Sequence, residues 1–329
     1  MKTLVSIQYL RAFAALGVVA YHTGRATILG QAGVDVFFVI SGFIMWMITT
    51  EPVGPAQFLW HRVVRIVPLY WIATLIVAVY WRSSVSDTVM SLLFWPYRDA
   101  NDELWPVLVQ GWTLNFEMFF YLLFAATLII PRRFQLLTLT AVLCSLSAIG
   151  IAFQRHEAQL WVLTSPFLME FLAGVWLSEI IQRGKIPSVK IAVAMLFIGL
   201  FGFVASLRGP PPELWRFIFW GGPSLLVVCG AISIELRRGL PTIKSLKLLG
   251  DGSYSIYLFH PFVLKSVATP LAKFPALICV AAVVIAGAAV GLAAFYMLER
   301  PLRALLRRRI GSVVTAPATV RVSTSRRRA

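Results

Sequence analysis

Residues 4–23 read LVSIQYLRAFAALGVVAYHT, an apolar stretch that nevertheless contains Arg11 and His22. About 20 consecutive apolar residues are typical of a transmembrane helix. At about 1.5 Å per residue, these two side chains lie about 16 Å apart along the helix and on nearly the same face. A guanidinium costs about 2.5–3.5 kcal/mol at the bilayer centre, so it usually faces a bundle interior or a wet cavity. We therefore expect the side chains of Arg11 and His22 to face one polar cavity within a membrane protein.

The whole chain has the composition of a membrane protein. Of its 329 residues 59% are hydrophobic and 13% are charged, with a mean hydropathy of +0.79, whereas soluble domains carry about 25% charged residues. Apolar runs recur along its length, which predicts an all-α, polytopic integral membrane bundle of about ten transmembrane helices. The ten predicted spans are 4–23, 33–50, 66–81, 112–130, 134–153, 161–181, 189–207, 214–233, 253–270 and 275–298.

The net charge of +16 comes from lysines and arginines that lie mostly in short loops between the apolar runs, the pattern that sets the orientation of a membrane protein. With the N-terminus inside, most of the 30 lysine and arginine residues fall on the inner side, so we expect both termini in the cytoplasm. The sequence shows no basic face with interleaved aromatic residues, which argues against a nucleic-acid partner. We expect a transmembrane domain over residues 1–305 and a basic, disordered cytoplasmic tail over 306–329 that contacts membrane lipids.

The three cysteines give no sign of a metal or redox centre. Cys144, Cys229 and Cys279 are isolated within apolar runs and lack ligand spacing. They are typical of small buried hydrophobic residues, so we expect no metal site.

The second span begins with GVDVFFVISGF, residues 33–43, which places Asp35 and Ser41 in an apolar helix. A carboxylate there needs a cationic partner, and Arg25 and His22 are the candidates; a plain interfacial anchor is the alternative. We treat Asp35 and Ser41 as candidate cavity residues.

Arg62 and Arg65 precede the third predicted span and share one helix face, because they are three residues apart. Topology alone produces arginines at an inner membrane edge. Alternatively, two forked guanidiniums at this position hold the phosphates of an anionic cytosolic donor.

Two later segments carry the remaining polar candidates. Glu117 lies near the start of the fourth span with Tyr121 on the same face, and it is predicted to bind a polar substrate, orient His22 or neutralise Arg11. In the segment SYSIYLFHP, residues 253–261, Tyr257 and His260 are three apart and are candidates for the same cavity. A purely structural histidine before Pro261 is the alternative.

Together these motifs resemble the acyltransferase family 3 of membrane proteins, over roughly residues 1–305. The resemblance rests on five motifs in order: Arg11-x10-His22, the block from Gly33 to Gly42, Arg62-x-x-Arg65, Trp112-Thr113-Leu114 with Glu117 and Tyr121, and Ser253 to His260. Each motif is weak alone, whereas five at compatible spacing are specific.

The resemblance implies an O-acyltransferase similar to the short members that modify exopolysaccharides. Such an enzyme moves an acyl group, most often acetyl, from acyl-coenzyme A (acetyl-CoA) to a hydroxyl of a lipid-linked or polymeric envelope glycan. It implies the bacterial cytoplasmic (inner) membrane, acyl-CoA as a co-substrate without a permanently bound cofactor, and contact with the polysaccharide biosynthesis machinery. The sequence leaves open the sugar, the acyl group and the membrane face of transfer.

The resemblance also suggests roles for the site residues. His22 acts as general base or transient acyl carrier, Arg11 positions the thioester or stabilises its oxyanion, and Glu117 orients or balances the site. Arg62 and Arg65 hold the coenzyme A phosphates. The alternative is a structural pairing of Arg11, with His22 only at the outer interface.

Two other functions compete with acyl transfer. A transporter or flippase of lipid-linked sugars or small anions would use the same charged face as a pathway, although the sequence shows no paired repeats or matched broken helices. A scaffold for a polysaccharide synthase is the third possibility. Lost acyl esters with normal glycan export favour the enzyme, and blocked export with normal acylation favours the carrier.

Overall fold

A computed structural model describes residues 4–308, except 27, 100, 154–155, 206 and 208. Within these residues the secondary structure is helical, without strands. The α-helices are α1 (Val5–Tyr21), α2 (Gly33–Ile48), α3 (Pro55–Trp81), α4 (Val85–Leu92), α5 (Gly111–Thr127), α6 (Arg132–Ala152), α7 (Ala158–Leu163), α8 (Leu168–Gln182), α9 (Val189–Val204), α10 (Gly222–Arg238), α11 (Lys244–Asp251), α12 (Ser253–Phe259), α13 (Pro261–Ala268), α14 (Ala276–Ala294) and α15 (Arg300–Arg308). The all-α prediction is confirmed.

Six helical segments of the described chain are long and apolar enough to cross a membrane. They are Ile28–Ile48, Pro55–Trp81, Arg132–Ala152, Ala158–Gln182, Glu213–Arg238 and Ala276–Leu306. Helices α1 and α9 are also apolar but have 17 and 16 residues, about 25 Å at 1.5 Å per residue. The bundle is therefore a multi-pass membrane protein, while the count of ten spans and the cytoplasmic termini stay predictions.

Two of the differences between the observed helices and the predicted spans concern candidate site residues. Helix α3 begins at Pro55, eleven residues before the predicted span, because proline is favoured in the first turn of a helix. This places Arg62 and Arg65 inside the helix rather than ahead of it. The predicted span 253–270 is broken into α12 and α13 at Pro261, which has no N–H to continue the first helix.

Only the first three residues of the predicted tail lie in the described part of the chain. Residues 306–308 belong to α15, and residues 309–329 lie outside the described part of the chain. The prediction of a disordered, lipid-contacting tail therefore concerns residues on which the structure gives no information.

Helices α2 and α8 pack with their backbones in close contact. A Cβ atom on Gly42 would lie 1.9 Å from the carbonyl oxygen of Phe171, and one on Gly174 would lie 2.0 Å from that of Val39. Small residues at such crossings are typical of membrane helix pairs. The glycine at position 42 thus allows the close approach of α2 and α8.

Helix α1 is held at its N-terminus by a carboxylate from α10. The two oxygens of Glu235 accept hydrogen bonds from the backbone N–H groups of Val5 and Ser6, both at 2.8 Å. These N–H groups have no partner inside the helix, and the positive end of the helix dipole favours the negative charge. This anchor places Arg11, one and a half turns further along, among the neighbouring helices.

Candidate active site

A cavity opens between α1, α2, α3, α5 and α12. It holds about 730 Å³ of space, its opening to solvent included. Aromatic and aliphatic side chains form most of its wall. The polar residues on it are Arg11, Ser41, Arg65, Thr113, Glu117, Tyr121, Ser253, Tyr254 and Tyr257. Six of the ten predicted site residues therefore lie on one surface.

Two guanidiniums line this cavity without a carboxylate partner. Arg11 is 8% exposed and donates a hydrogen bond from Nε to the hydroxyl of Ser253 at 3.1 Å. Arg65 forms no hydrogen bond or ion pair with any described residue. Buried cations are normally paired, because an isolated charge is costly in a low-dielectric interior. The wall that carries Arg11 and the half-buried Arg65 therefore has the positive charge that an anionic ligand would need.

Arg62 lies one turn before Arg65 on α3 and does not reach the cavity wall. Its Nε and Nη1 atoms are buried without a hydrogen-bond partner in the described chain, and its Cζ atom lies 5.9 Å from the ring centroid of Phe58. The two arginines of the motif are thus separated. Arg65 contacts the cavity directly, whereas Arg62 adds positive charge behind it.

Glu117 forms a cluster with two hydroxyl groups on the cavity wall. Its Oε1 atom accepts hydrogen bonds from the hydroxyls of Tyr121 and Ser41, the latter at 3.1 Å, and these hydroxyls lie 3.3 Å apart. The three residues come from one turn of α5 and from the facing α2. Of the three roles open from the sequence, orientation of His22 has no contact to support it, because the carboxylate is bonded to Ser41 and Tyr121.

His22 is not on the cavity wall, in contrast to the expectation from the first helix. It follows the last residue of α1, and its Nδ1 atom lies 2.8 Å from the carbonyl oxygen of Val18. Its ring centroid is 4.9 Å from that of His260, which is fully buried and does not line the cavity either. Tyr257 lies on the cavity wall with its ring centroid 6.3 Å from that of His260. Tyr257 therefore lies between the cavity and the ring of His260, and neither histidine lines the cavity.

Asp35 has a different partner from the two expected. Arg216 binds it with two hydrogen bonds, while Arg25 donates to the backbone carbonyls of Ala272 and Phe274. Asp35 is fully buried and does not line the cavity. The expected pairing with Arg25 or His22 is wrong, since Arg216 folds back onto the start of α2.

Sequence reasoning missed Arg216, which lies just before α10 and is 6% exposed. The signal was an arginine near the start of the predicted span 214–233, where a charged side chain is costly. Glu170 is 1% exposed and lies near the Asp35–Arg216 pair. Its oxygens are buried without a hydrogen-bond partner in the described chain.

The sequence matches the acyltransferase domain family over residues 4–297. The chain belongs to this family. It is 38% identical to the exopolysaccharide production protein ExoZ of Rhizobium meliloti, over 90% of this chain and 96% of that protein. It is also 29% identical to the putative membrane-bound transacylase BcsY of Komagataeibacter xylinus, over 77% of this chain and 71% of that one.

A further relative is the O-acetyltransferase OatA of Staphylococcus aureus, 25% identical over 79% of this chain and 50% of that protein. No solved structure matches the chain. The family resemblance inferred from the five motifs is thereby confirmed, and the chain is a membrane O-acyltransferase. The cavity between α1, α2, α3, α5 and α12 is its candidate active site.

Proposed function

We propose that this acyltransferase moves an acyl group, acetyl in the first instance, from acyl-coenzyme A to a hydroxyl of an exopolysaccharide or other envelope glycan. The enzyme would do so in the bacterial cytoplasmic membrane. The similarity to an exopolysaccharide production protein over almost the full length of both chains supports the acceptor. The similarity to an O-acetyltransferase supports the ester linkage.

The observation that supports acyl-coenzyme A as the donor is the pair of guanidiniums, Arg11 and Arg65, on one cavity wall without a carboxylate partner. Acyl-coenzyme A is rich in phosphate oxygens, and guanidiniums bind phosphate with paired, charge-assisted hydrogen bonds. Arg62, with two buried nitrogens unpartnered one turn away, strengthens the positive potential. We place the donor's charged part at this end and its thioester toward Tyr257.

The separation of Arg11 from His22 divides their roles. Eleven residues of helix correspond to about 16 Å, which is too far for one atom to contact both side chains. Arg11 therefore holds the donor rather than the oxyanion formed beside His22. His22 removes the proton from the acceptor hydroxyl, whose oxygen attacks the thioester carbon.

The reaction is balanced without a further reactant. The new C–O bond forms, the C–S bond breaks, and the proton taken up by His22 passes to the departing sulfur, which leaves as the thiol. A relay in which His22 first carries the acyl group on nitrogen has the same overall balance. Trapping of an acylated His22 peptide from membranes given donor without acceptor would distinguish the relay from direct transfer.

The test uses membranes that contain the full chain, radiolabelled acetyl-CoA and purified exopolysaccharide. We expect wild-type membranes to esterify the glycan and His22→Ala membranes to lose transfer by about 100-fold or more, as loss of a general base does, with unchanged protein abundance. His156→Ala, in an exposed loop, is the matched histidine control. Full transfer by His22→Ala, or normal acylation combined with blocked glycan export, would contradict the proposal.

A further inference from the structure

His22 and His260 form a pair that links the end of α1 to the end of α12. They are 238 positions apart in the sequence, yet their ring centroids lie 4.9 Å apart with an interplanar angle of 55°. Gly287 on α14 leaves room for the pair, because a Cβ there would lie 3.1 Å from Val19 and 3.2 Å from the Cβ of His260. Three helices thus converge on the two rings.

The hydrogen bonds of the rings define their tautomers. Nδ1 of His22 lies 2.8 Å from the carbonyl oxygen of Val18, and Nδ1 of His260 lies 2.8 Å from that of Tyr257. A carbonyl oxygen only accepts, so each Nδ1 donates an N–H. In a neutral imidazole the other nitrogen then carries a lone pair. Both Nε2 atoms are therefore acceptors when the rings are neutral.

The Nε2 lone pair of His260 is a buried acceptor without a partner. The ring is fully buried, and no described residue hydrogen-bonds to this atom. A buried polar atom left unsatisfied costs about 1–3 kcal/mol, so such an atom usually has a use or a partner that comes later. The ring of His22, whose centroid lies 4.9 Å away, is the neighbouring group with a nitrogen that can gain a proton.

We propose that His260 is a positioning residue for the transfer and shares the proton that His22 takes up. The proposal rests on the function proposed above, in which His22 is the base. After the acceptor hydroxyl gives its proton to Nε2 of His22, that N–H turns from the attacking oxygen to the lone pair of His260. The oxygen lone pair is then free for the thioester carbon, and the shared proton later passes to the departing sulfur.

The surroundings of the pair explain why a second imidazole is needed. In the described chain no carboxylate forms an ion pair with either ring, so no negative charge stabilises the imidazolium. Catalytic histidines elsewhere gain that support from an aspartate. Here Asp35 is bound by Arg216 and Glu117 by two hydroxyls. A neutral lone pair supports the protonated ring without bringing another charge into the membrane.

The test compares three substitutions at position 260 in full-length enzyme at matched membrane abundance. His260→Phe keeps a ring without an acceptor, His260→Gln places an amide oxygen near the position of Nε2, and His260→Asn is polar but too short to reach it. We expect kcat to fall about 100-fold for the first and third variants, as acid–base contributions do, and less than tenfold for His260→Gln. The KM for acetyl-CoA should not change, because the donor is held at the far end of the cavity.

A second comparison separates this inference from the proposed function. In a His22→Ala background, His260→Phe should cause no further loss, since its effect passes through His22. If His260→Phe alone retains wild-type kcat, or if the Gln and Asn variants are equally impaired, the shared proton is refuted and His22 stays the base. If His22→Ala is itself active, the function proposed above fails instead. If the His260→Phe variant does not fold, the comparison of kcat between His260→Gln and His260→Asn tests the proposal by itself.

Discussion

Arg216 binds Asp35 with two parallel hydrogen bonds, from Nε to Oδ1 at 3.1 Å and from Nη2 to Oδ2 at 2.8 Å. The pair joins the first turn of α2 to the segment before α10. The guanidinium also lies over the rings of Trp220 and Phe167, at 4.5 and 5.1 Å from their centroids. Because α2 carries Ser41 and other cavity residues, this distant ion pair fixes one wall of the active site.

We predict that Asp35→Ala destabilises the protein by about 3–5 kcal/mol, because removal of one partner leaves a buried guanidinium uncompensated. The measurement is thermal unfolding of the detergent-solubilised protein. Asp102→Ala is the control, since Asp102 pairs with Arg98 while its side chain is 84% exposed, and such pairs contribute about 0–1 kcal/mol. Equal unfolding temperatures for the two variants would show that the Asp35–Arg216 pair does not hold α2.

The contact between α2 and α8 leads to a second prediction. Gly174→Ala should destabilise by about 1–3 kcal/mol, because its Cβ would lie 2.0 Å from the carbonyl oxygen of Val39 and the helices must separate. Gly222→Ala is the control, as nothing lies within 4 Å of a Cβ there. Unfolding of both variants in the same detergent gives the comparison. A neutral Gly174→Ala would mean that the helices move apart at no cost.

The arginine wall of the cavity predicts a change in donor affinity. Arg65→Ala should raise the KM for acetyl-CoA about tenfold or more with little change in kcat, because the lost contact is made equally in ground and transition states. Arg65→Lys should recover only part of the loss, since an ammonium lacks the paired donors of a guanidinium. Arg133→Ala, on an exposed residue at the start of α6, is the control. An unchanged KM would remove Arg65 from the donor site.

The carboxylate cluster predicts graded effects on turnover. Glu117→Gln should lower kcat about 10- to 100-fold, because the amide keeps the size of the side chain and loses its charge. Tyr121→Phe should lower it less, since the hydroxyl of Ser41 still donates to the carboxylate. Initial rates at saturating donor measure both, with membrane abundance checked in parallel. A larger loss for Tyr121→Phe than for Glu117→Gln would indicate that the tyrosine hydroxyl, not the charge, acts in the site.

Much of the candidate site was visible in the sequence because it depends on local spacing. Glu117 and Tyr121 are four residues apart on one helix, so helical geometry alone places them side by side. Arg65 was predicted on the donor side from its position at the edge of a span. These expectations needed only the pitch of a helix and the cost of a charge in lipid.

The pairs that cross between helices were not accessible in the same way. Arg216 with Asp35 and His260 with His22 are separated by 181 and 238 positions. Spacing along the chain does not show which of several buried cations faces a given carboxylate. That choice depends on which helices are neighbours and on how far each is rotated.

The sequence by itself determined a helical membrane bundle, its family and most of the polar residues inside it, because hydrophobic length and the cost of buried charge act along a single helix. Only the tertiary structure decided that Arg11 lines the cavity while His22 does not and instead lies against a second histidine. The physical reason is that the position of a residue in the sequence sets its helix face and its depth along the helix axis. The extent of a cavity depends instead on the neighbouring helices that close it.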